Sequence, residues 1–168
     1  MGLDNIPQPR PCQNLKFVKK YNIPVVRRSE LKKLSKKEIA KKLGLDMRRK
    51  RVKEFLKNLK KDKNVVNCEK CVFREKHHII GILGNYCWLR GKVYDDITQE
   101  VGITLYQDLD RDDLLLLLKE LKENYKQLLK NKALKEAYGK ELKKRLDELI
   151  VYLTLIIESG VKKLIAWY

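Results

Sequence analysis

The sequence predicts a mainly α protein in which a basic helix-turn-helix-like segment and a C-terminal helical hairpin flank a small Cys-rich, zinc-binding centre. Three observations predict it. Apolar residues recur at helical spacing over residues 35–61 and again over the last sixty residues. Three of the four cysteines and both histidines fall between residues 64 and 92. The charge is one-sided: residues 1–80 hold 24 Lys and Arg against 8 Asp and Glu, whereas residues 81–168 hold 15 against 14.

That asymmetry bears most on function. The whole chain carries +17, with 36% charged residues against an average of about 25%. A nearly neutral back half means that the front half is basic for its own reason. Such a field draws polyanions and speeds their encounter; a merely solubilising charged face is the competing reading. The dominance of Lys is also a loose thermophile signal. The N-terminal residues show no leader-like apolar run, and Pro7, Pro9 and Pro11 interrupt them. The longest apolar stretch, Leu149–Ile157, includes Tyr152 and Thr154 and falls short of the ~20 residues that span a bilayer. The expectation is a cytoplasmic protein with no membrane partner, in which cysteines serve metals or remain thiols before they serve disulfides.

Residues 1–28 read as a Pro-rich arm, because Pro7, Pro9, Pro11 and Pro24 prevent a long helix. The runs Leu15–Val18 and Ile23–Val26 are expected as strands or packed coil. Residues 29–63 read as the basic helix-turn-helix-like segment. Ser35 and Glu38 make a capping box, Ile39, Ala40 and Leu43 share one face, and Gly44 ends the helix with positive φ. Asp46 is placed to cap a second helix, in which Val52, Phe55, Leu56 and Leu59 form the buried stripe. Residues 64–109 form the Cys/His-rich centre, with a short helix around Val93, Ile97 and Val101 closed by Gly102. Residues 110–168 form the hairpin. Asp110 and Asp113 cap its first helix, whose stripe runs through Leu114, Leu118, Leu121, Tyr125 and Leu128. A second stripe runs from Leu134 through Tyr138, Leu142, Leu146, Leu149 and Leu153 to Ile156, and Gly160 ends it before a short apolar tail. One continuous helix is the alternative to the hairpin, and a homodimer through these helices is a possible assembly.

Cys68-Glu-Lys-Cys71 is a C-x-x-C knuckle, with Cys87 downstream, His77 and His78 between, and Cys12 in the arm. A knuckle supplies two of the four tetrahedral donors that structural zinc needs. Cys68, Cys71 and Cys87, with Cys12, His77 or His78 as the fourth, would complete the set. A redox or disulfide pair and ordinary thiols are the alternatives; a thioredoxin-like role is disfavoured because Cys68 does not open a helix in a βαβ pattern. The carboxylates Asp95, Asp96, Glu100, Asp108, Asp110, Asp112 and Asp113 would suit a metal-dependent nuclease, but most sit where helix starts want acids. No nucleophile arrangement, phosphate loop or dinucleotide fingerprint stands out, so no catalytic residue is assigned.

Two resemblances add to this reading. The string Glu38-Ile-Ala-Lys-Lys-Leu-Gly-Leu45, followed by Val52-Lys-Glu-Phe-Leu-Lys-Asn-Leu59 and then Lys61-Asp-Lys-Asn-Val65, resembles the helix-turn-helix DNA-binding class and its winged relatives. The resemblance implies a second helix in the major groove. Arg48, Arg49, Lys50 and Arg51 would then lie near bases, and Lys53, Lys57 and Lys61 along the phosphates of DNA or RNA. Val52 comes about two residues later than the compact pattern, which implies a longer turn or a shifted helix start. A basic helical hairpin with no groove-reading role is the alternative. From Cys87 onward, Cys87-Trp-Leu-Arg-Gly-Lys-Val-Tyr94, Gly102-Ile-Thr-Leu-Tyr106 and the terminal Leu164-Ile-Ala-Trp167 resemble a family of uncharacterised small proteins from archaea, actinobacteria and their viruses. That resemblance brings no activity with it. Arg90 and Lys92 beside Trp88 and Tyr94 would either face a ligand or belong to the core, with Arg90 paired to an acid such as Asp95. The function expected is nucleic-acid binding, as a small regulator or architectural protein with a structural zinc. The runner-up is a protein–protein adaptor, or a ribosome-associated protein, using the C-terminal helices.

Overall fold

A computed structural model describes residues 2–59, 64–73 and 87–168. Of these residues 58% are helical and 13% are in strands, so the mainly α expectation holds. Among the described residues no helix is long and apolar enough to cross a membrane.

Two apolar clusters organise the chain. The larger one joins Leu3, Phe17 and Val18 near the N-terminus to Tyr94, Ile97 and Leu105 and to the C-terminal helices. These helices are α6 (Arg111–Glu123), α7 (Tyr125–Lys130), α8 (Lys132–Tyr138) and α9 (Leu142–Glu158). α6 packs against α9, burying Leu114, Leu117 and Leu121 against a face of α9 that includes Leu146, Leu149, Leu153 and Ile156. Asp110 and Asp113 exchange caps at the start of α6, at 2.8 and 3.0 Å. The second stripe is not one helix: Gly139, at φ +55°, separates α8 from α9, a backbone conformation that glycine adopts without strain. Tyr138, just before the break, donates to the Val93 carbonyl at 2.8 Å.

The arm is not a free extension. β1 (Asp4–Gln8) pairs antiparallel with β5 (Lys163–Trp167), Ile6 opposite Ile165, and β4 (Leu109–Asp110) takes the other edge of β5. The terminal apolar tail is therefore the central strand of a three-stranded sheet. The outer side of β1 is covered at Asn5, which exchanges backbone hydrogen bonds with Leu89 at 2.7 and 2.9 Å. Leu15–Lys20, expected as strand or coil in its first half, is a helix, α1. The reason is a local cap: the Asn14 side chain accepts from the Phe17 amide at 3.1 Å and donates to the Ser159 carbonyl at 2.9 Å. One Asn thus starts α1 and pins it to the end of α9.

The smaller cluster holds Val26, Ile39, Ala40, Leu43, Val52, Leu56, Leu59 and Val65. It lies inside a lobe built from β2 (Val25–Arg27), α2 (Arg28–Leu31), α3 (Lys36–Leu43), α4 (Lys50–Lys57) and β3 (Asn64–Val66). β2 and β3 pair antiparallel and close the lobe at its base. α5 (Asp95–Gln99) belongs to the larger body, where Asp95 is buried and accepts from the Leu105 amide at 2.6 Å and the Thr104 hydroxyl at 3.0 Å.

Candidate nucleic-acid interface and thiol cluster

α3 starts where the capping box requires. Ser35 Oγ accepts from the Glu38 amide at 3.2 Å, and Glu38 returns the bond to the Ser35 amide at 2.7 Å. It ends at Gly44, φ +66°, where the Leu45 amide reaches back to the Ala40 carbonyl at 2.8 Å, the closing bond of a Schellman turn. The second helix departs from expectation. Asp46 does not cap it; its carboxylate accepts from the Arg48 amide at 3.0 Å and pairs with the Arg48 guanidinium. This local turn delays the helix, so that Arg49 is the N-cap and α4 opens at Lys50. The late position of Val52 has its cause here.

The delay sorts the expected binding residues. Arg48 and Arg49 lie in the turn, and both guanidinium groups are engaged, Arg48 by Asp46 and Arg49 by Glu69 at 2.8 Å. The Arg48 side chain holds the Asp46 carboxyl below its usual range. Lys50, Arg51, Lys53 and Lys57 are on α4, exposed, and form no ion pair among the described residues. Lys61 lies outside the described residues. Residues 27–59 hold 14 Lys and Arg, all exposed, against 4 Asp and Glu. Within the described residues only Lys42, Arg48 and Arg49 of these 14 have ion-pair partners. Among the described residues the remaining eleven leave a surface of largely uncompensated positive charge, of the kind that draws polyanions.

The four cysteines come from three separate segments and meet beside this lobe. Cys12 lies in a 3-10 turn after β1, Cys68 and Cys71 in the knuckle after β3, and Cys87 two residues before the Leu89 bridge to β1. All four carry thiols and line one cavity of about 20 Å³ whose other walls are Pro11, Phe17, Ile23, Val66 and Phe73. Burial pushes the Cys71 thiol up to about 11, against a weaker downward pull from a hydrogen bond to the Phe73 amide. Burial pushes Cys87 well above the usual thiol range, and the like charges that Cys12, Cys68 and Cys71 would carry push it further. Among the described residues no three His, Cys, Asp or Glu side chains form a ready-made metal-holding group. His77 and His78, the other expected ligands, lie outside the described residues.

Side chains that sequence reasoning missed tie the cysteines to their surroundings. Gln13 donates to Cys12 Sγ at 3.4 Å and to the Asn64 carbonyl at 3.2 Å, and Asn64 returns two bonds to Gln13. Asn67, 1% exposed, caps the knuckle through the Glu69 amide and donates to the Leu43 carbonyl at 2.7 Å. The Lys70 ammonium lies 3.0 Å from where a Cβ on Gly44 would stand. The knuckle therefore sits on the C-terminal end of α3, and Glu69 reaches across to the N-cap of α4. An Asn immediately before a C-x-x-C is a readable cap signal; its bond to a carbonyl 24 residues away is not.

The other candidates resolve into structure. Tyr94 is fully buried and donates to Glu148 at 2.9 Å. Trp88 packs edge-on to Trp167, with ring centroids 6.1 Å apart. Arg90 pairs with Asp4 at 3.5 Å, not with Asp95, and Lys92 is exposed. Asp95 holds the Thr104–Leu105 turn, and Asp110 and Asp113 cap α6. Comparison with family models, with curated proteins and with solved structures finds no match to this chain.

Proposed function

We propose that the protein binds nucleic acid through the α2–α4 lobe, with α4 as the contacting helix. The observation that carries this reading is the exposed face of Lys50, Arg51, Lys53 and Lys57, in a lobe where eleven of 14 cations have no ion-pair partner among the described residues. The lobe has an apolar core of its own, so these cations are presented on a packed scaffold. Phosphate contact supplies the affinity. The helix–turn–helix order of α3 and α4 favours duplex DNA over RNA. The salt-bridged Arg48 and Arg49 leave Lys50 and Arg51 as the residues closest to base edges. The role that fits is a small regulator or architectural protein. Fluorescence anisotropy of the full chain with duplex DNA, single-stranded DNA and structured RNA, at low and moderate salt, tests it. Binding that weakens steeply with salt is expected; no binding to any of the three at low salt would overturn the reading.

A second reading, a protein–protein adaptor or homodimer through the C-terminal helices, draws on Leu115 and Leu116 of α6. They are adjacent and 44% and 48% exposed. Light scattering of the wild type beside a Leu115→Gln, Leu116→Gln variant distinguishes it.

A further inference from the structure

We infer that Cys12, Cys68, Cys71 and Cys87 hold one zinc ion as a tetrathiolate, and that this ion locks the turn that presents α4. The cavity that the four cysteines line is about 20 Å³, room for a single water-sized body. Its remaining walls are Pro11, Phe17, Ile23, Val66 and Phe73, so a water there would find few partners apart from sulfur. Four soft sulfur donors and no oxygen or nitrogen donor in the lining select zinc over hard cations. A complete set of four leaves no open position for substrate, which makes the site structural.

Cys12 is the ligand that local sequence spacing does not reveal. The Gln13–Asn64 exchange lashes its turn to β3, the strand that leads into the knuckle. The Gln13 side chain also donates to Cys12 Sγ, and the Phe73 amide to the Cys71 sulfur. Such donors orient thiolates around an ion. Zinc–sulfur bonds of about 2.3 Å put tetrahedral sulfurs about 3.8 Å apart, so that binding gathers the four cysteines around the ion.

The clasp follows from three contacts. Asn67 holds the Leu43 carbonyl, Lys70 lies over Gly44, and Glu69 binds Arg49. Residues 67–70 therefore touch the last residue of α3, its C-cap and the N-cap of α4. An ion that fixes Cys68 and Cys71 fixes all three. The consequence for ligand affinity rests on the nucleic-acid reading; the metal site and the clasp do not.

The test uses the full chain purified without chelator. Metal analysis should find about one zinc per chain, and cobalt substitution should give the visible bands and sulfur charge-transfer absorption of a tetrahedral thiolate site. Cys12→Ser should weaken zinc retention at least tenfold, while a His77→Ala, His78→Ala variant retains it fully. Hydrogen exchange with and without zinc should show the amides of Gly44, Leu45 and Lys70 exchanging faster in the depleted protein. Absence of zinc, with thiol reactivity unchanged on adding it, would overturn the site. Zinc retention lost in the histidine variant but kept in Cys12→Ser would overturn the ligand set. Exchange at residues 43–50 indifferent to zinc would overturn the clasp. If zinc binds and slows exchange as expected but no nucleic acid binds, the proposed function falls and this inference stands.

Discussion

Changing Lys50, Lys53 and Lys57 together to Gln should weaken nucleic-acid binding without touching the fold. The three lie on one exposed face of α4, opposite Val52 and Leu56, and none has an ion-pair partner among the described residues. Gln has nearly the helix propensity of Lys, and surface changes of this kind usually stay within about 0.5 kcal/mol each. Binding responds differently. Each phosphate contact contributes about 0.9 to the slope of log K against log salt on duplex DNA, so losing three lowers it by about 2.7. Between 50 and 200 mM salt the wild type should then lose about 40-fold more affinity than the variant. Anisotropy titrations at four salt concentrations, with circular dichroism as the control for helix content, measure both. An unchanged slope with preserved helicity would refute the reasoning, because it would mean that these charges meet solvent in the complex as they do without it.

Four further outcomes follow from the packing. Asp95→Ala should cost about 1–3 kcal/mol in chemical denaturation, since it strands the buried Leu105 amide, whereas Asp95→Asn, which keeps an acceptor, should cost less than half as much. Gly91→Ala should destabilise by about 3 kcal/mol. A Cβ there would stand 2.0 Å from Asn5 Oδ1, and Asn5 cannot retreat because its amide holds the Leu105 carbonyl at 2.8 Å. Ser35→Ala should remove about 1 kcal/mol from the lobe by deleting the α3 cap, read as faster amide exchange in α3. Hydrogen bonds from Lys20 and Tyr21 hold the Glu158 carboxyl below its ordinary value. The link from α1 to α9 is therefore intact above the usual Glu range and is lost as pH falls through the lowered value; Glu158→Gln should flatten this acid limb of a melting-temperature profile.

Local physics was legible in the sequence. The Ser35–Glu38 box, the left-handed Gly44 and the Asp110–Asp113 cap each act over three or four residues, and the structure has all of them. The stripe of α4 was legible for the same reason, with Val52 and Leu56 buried, but that of α6 only in part: Leu114 and Leu121 are buried as expected, Leu117 takes the place of the half-buried Leu118, and Tyr125 and Leu128 fall on α7. What was not legible is non-local or competitive. Nothing near Ile6 signals pairing with Ile165, because the partner lies at the other end of the chain. The α1 helix depends on Asn14 outweighing the β-branched and aromatic residues that suggested a strand. Asp46 had two possible uses, capping α4 or closing a turn with Arg48, and the latter wins. The place of Cys12 in the thiol cavity depends on Gln13 and Asn64, 51 residues apart.

The most direct test of the central claim is a lysine-reactivity footprint. Full-length protein is acetylated briefly, with and without saturating duplex DNA, and each lysine is read by mass spectrometry. Lys36, Lys37, Lys41, Lys50, Lys53 and Lys57 of the lobe and Lys126, Lys130, Lys135, Lys140 and Lys144 of the C-terminal helices are all exposed, so both sets start reactive. Protection of the first set, strongest on α4, with the second left unchanged, is the predicted result. Equal protection of both sets, or protection of the second alone, would contradict the account.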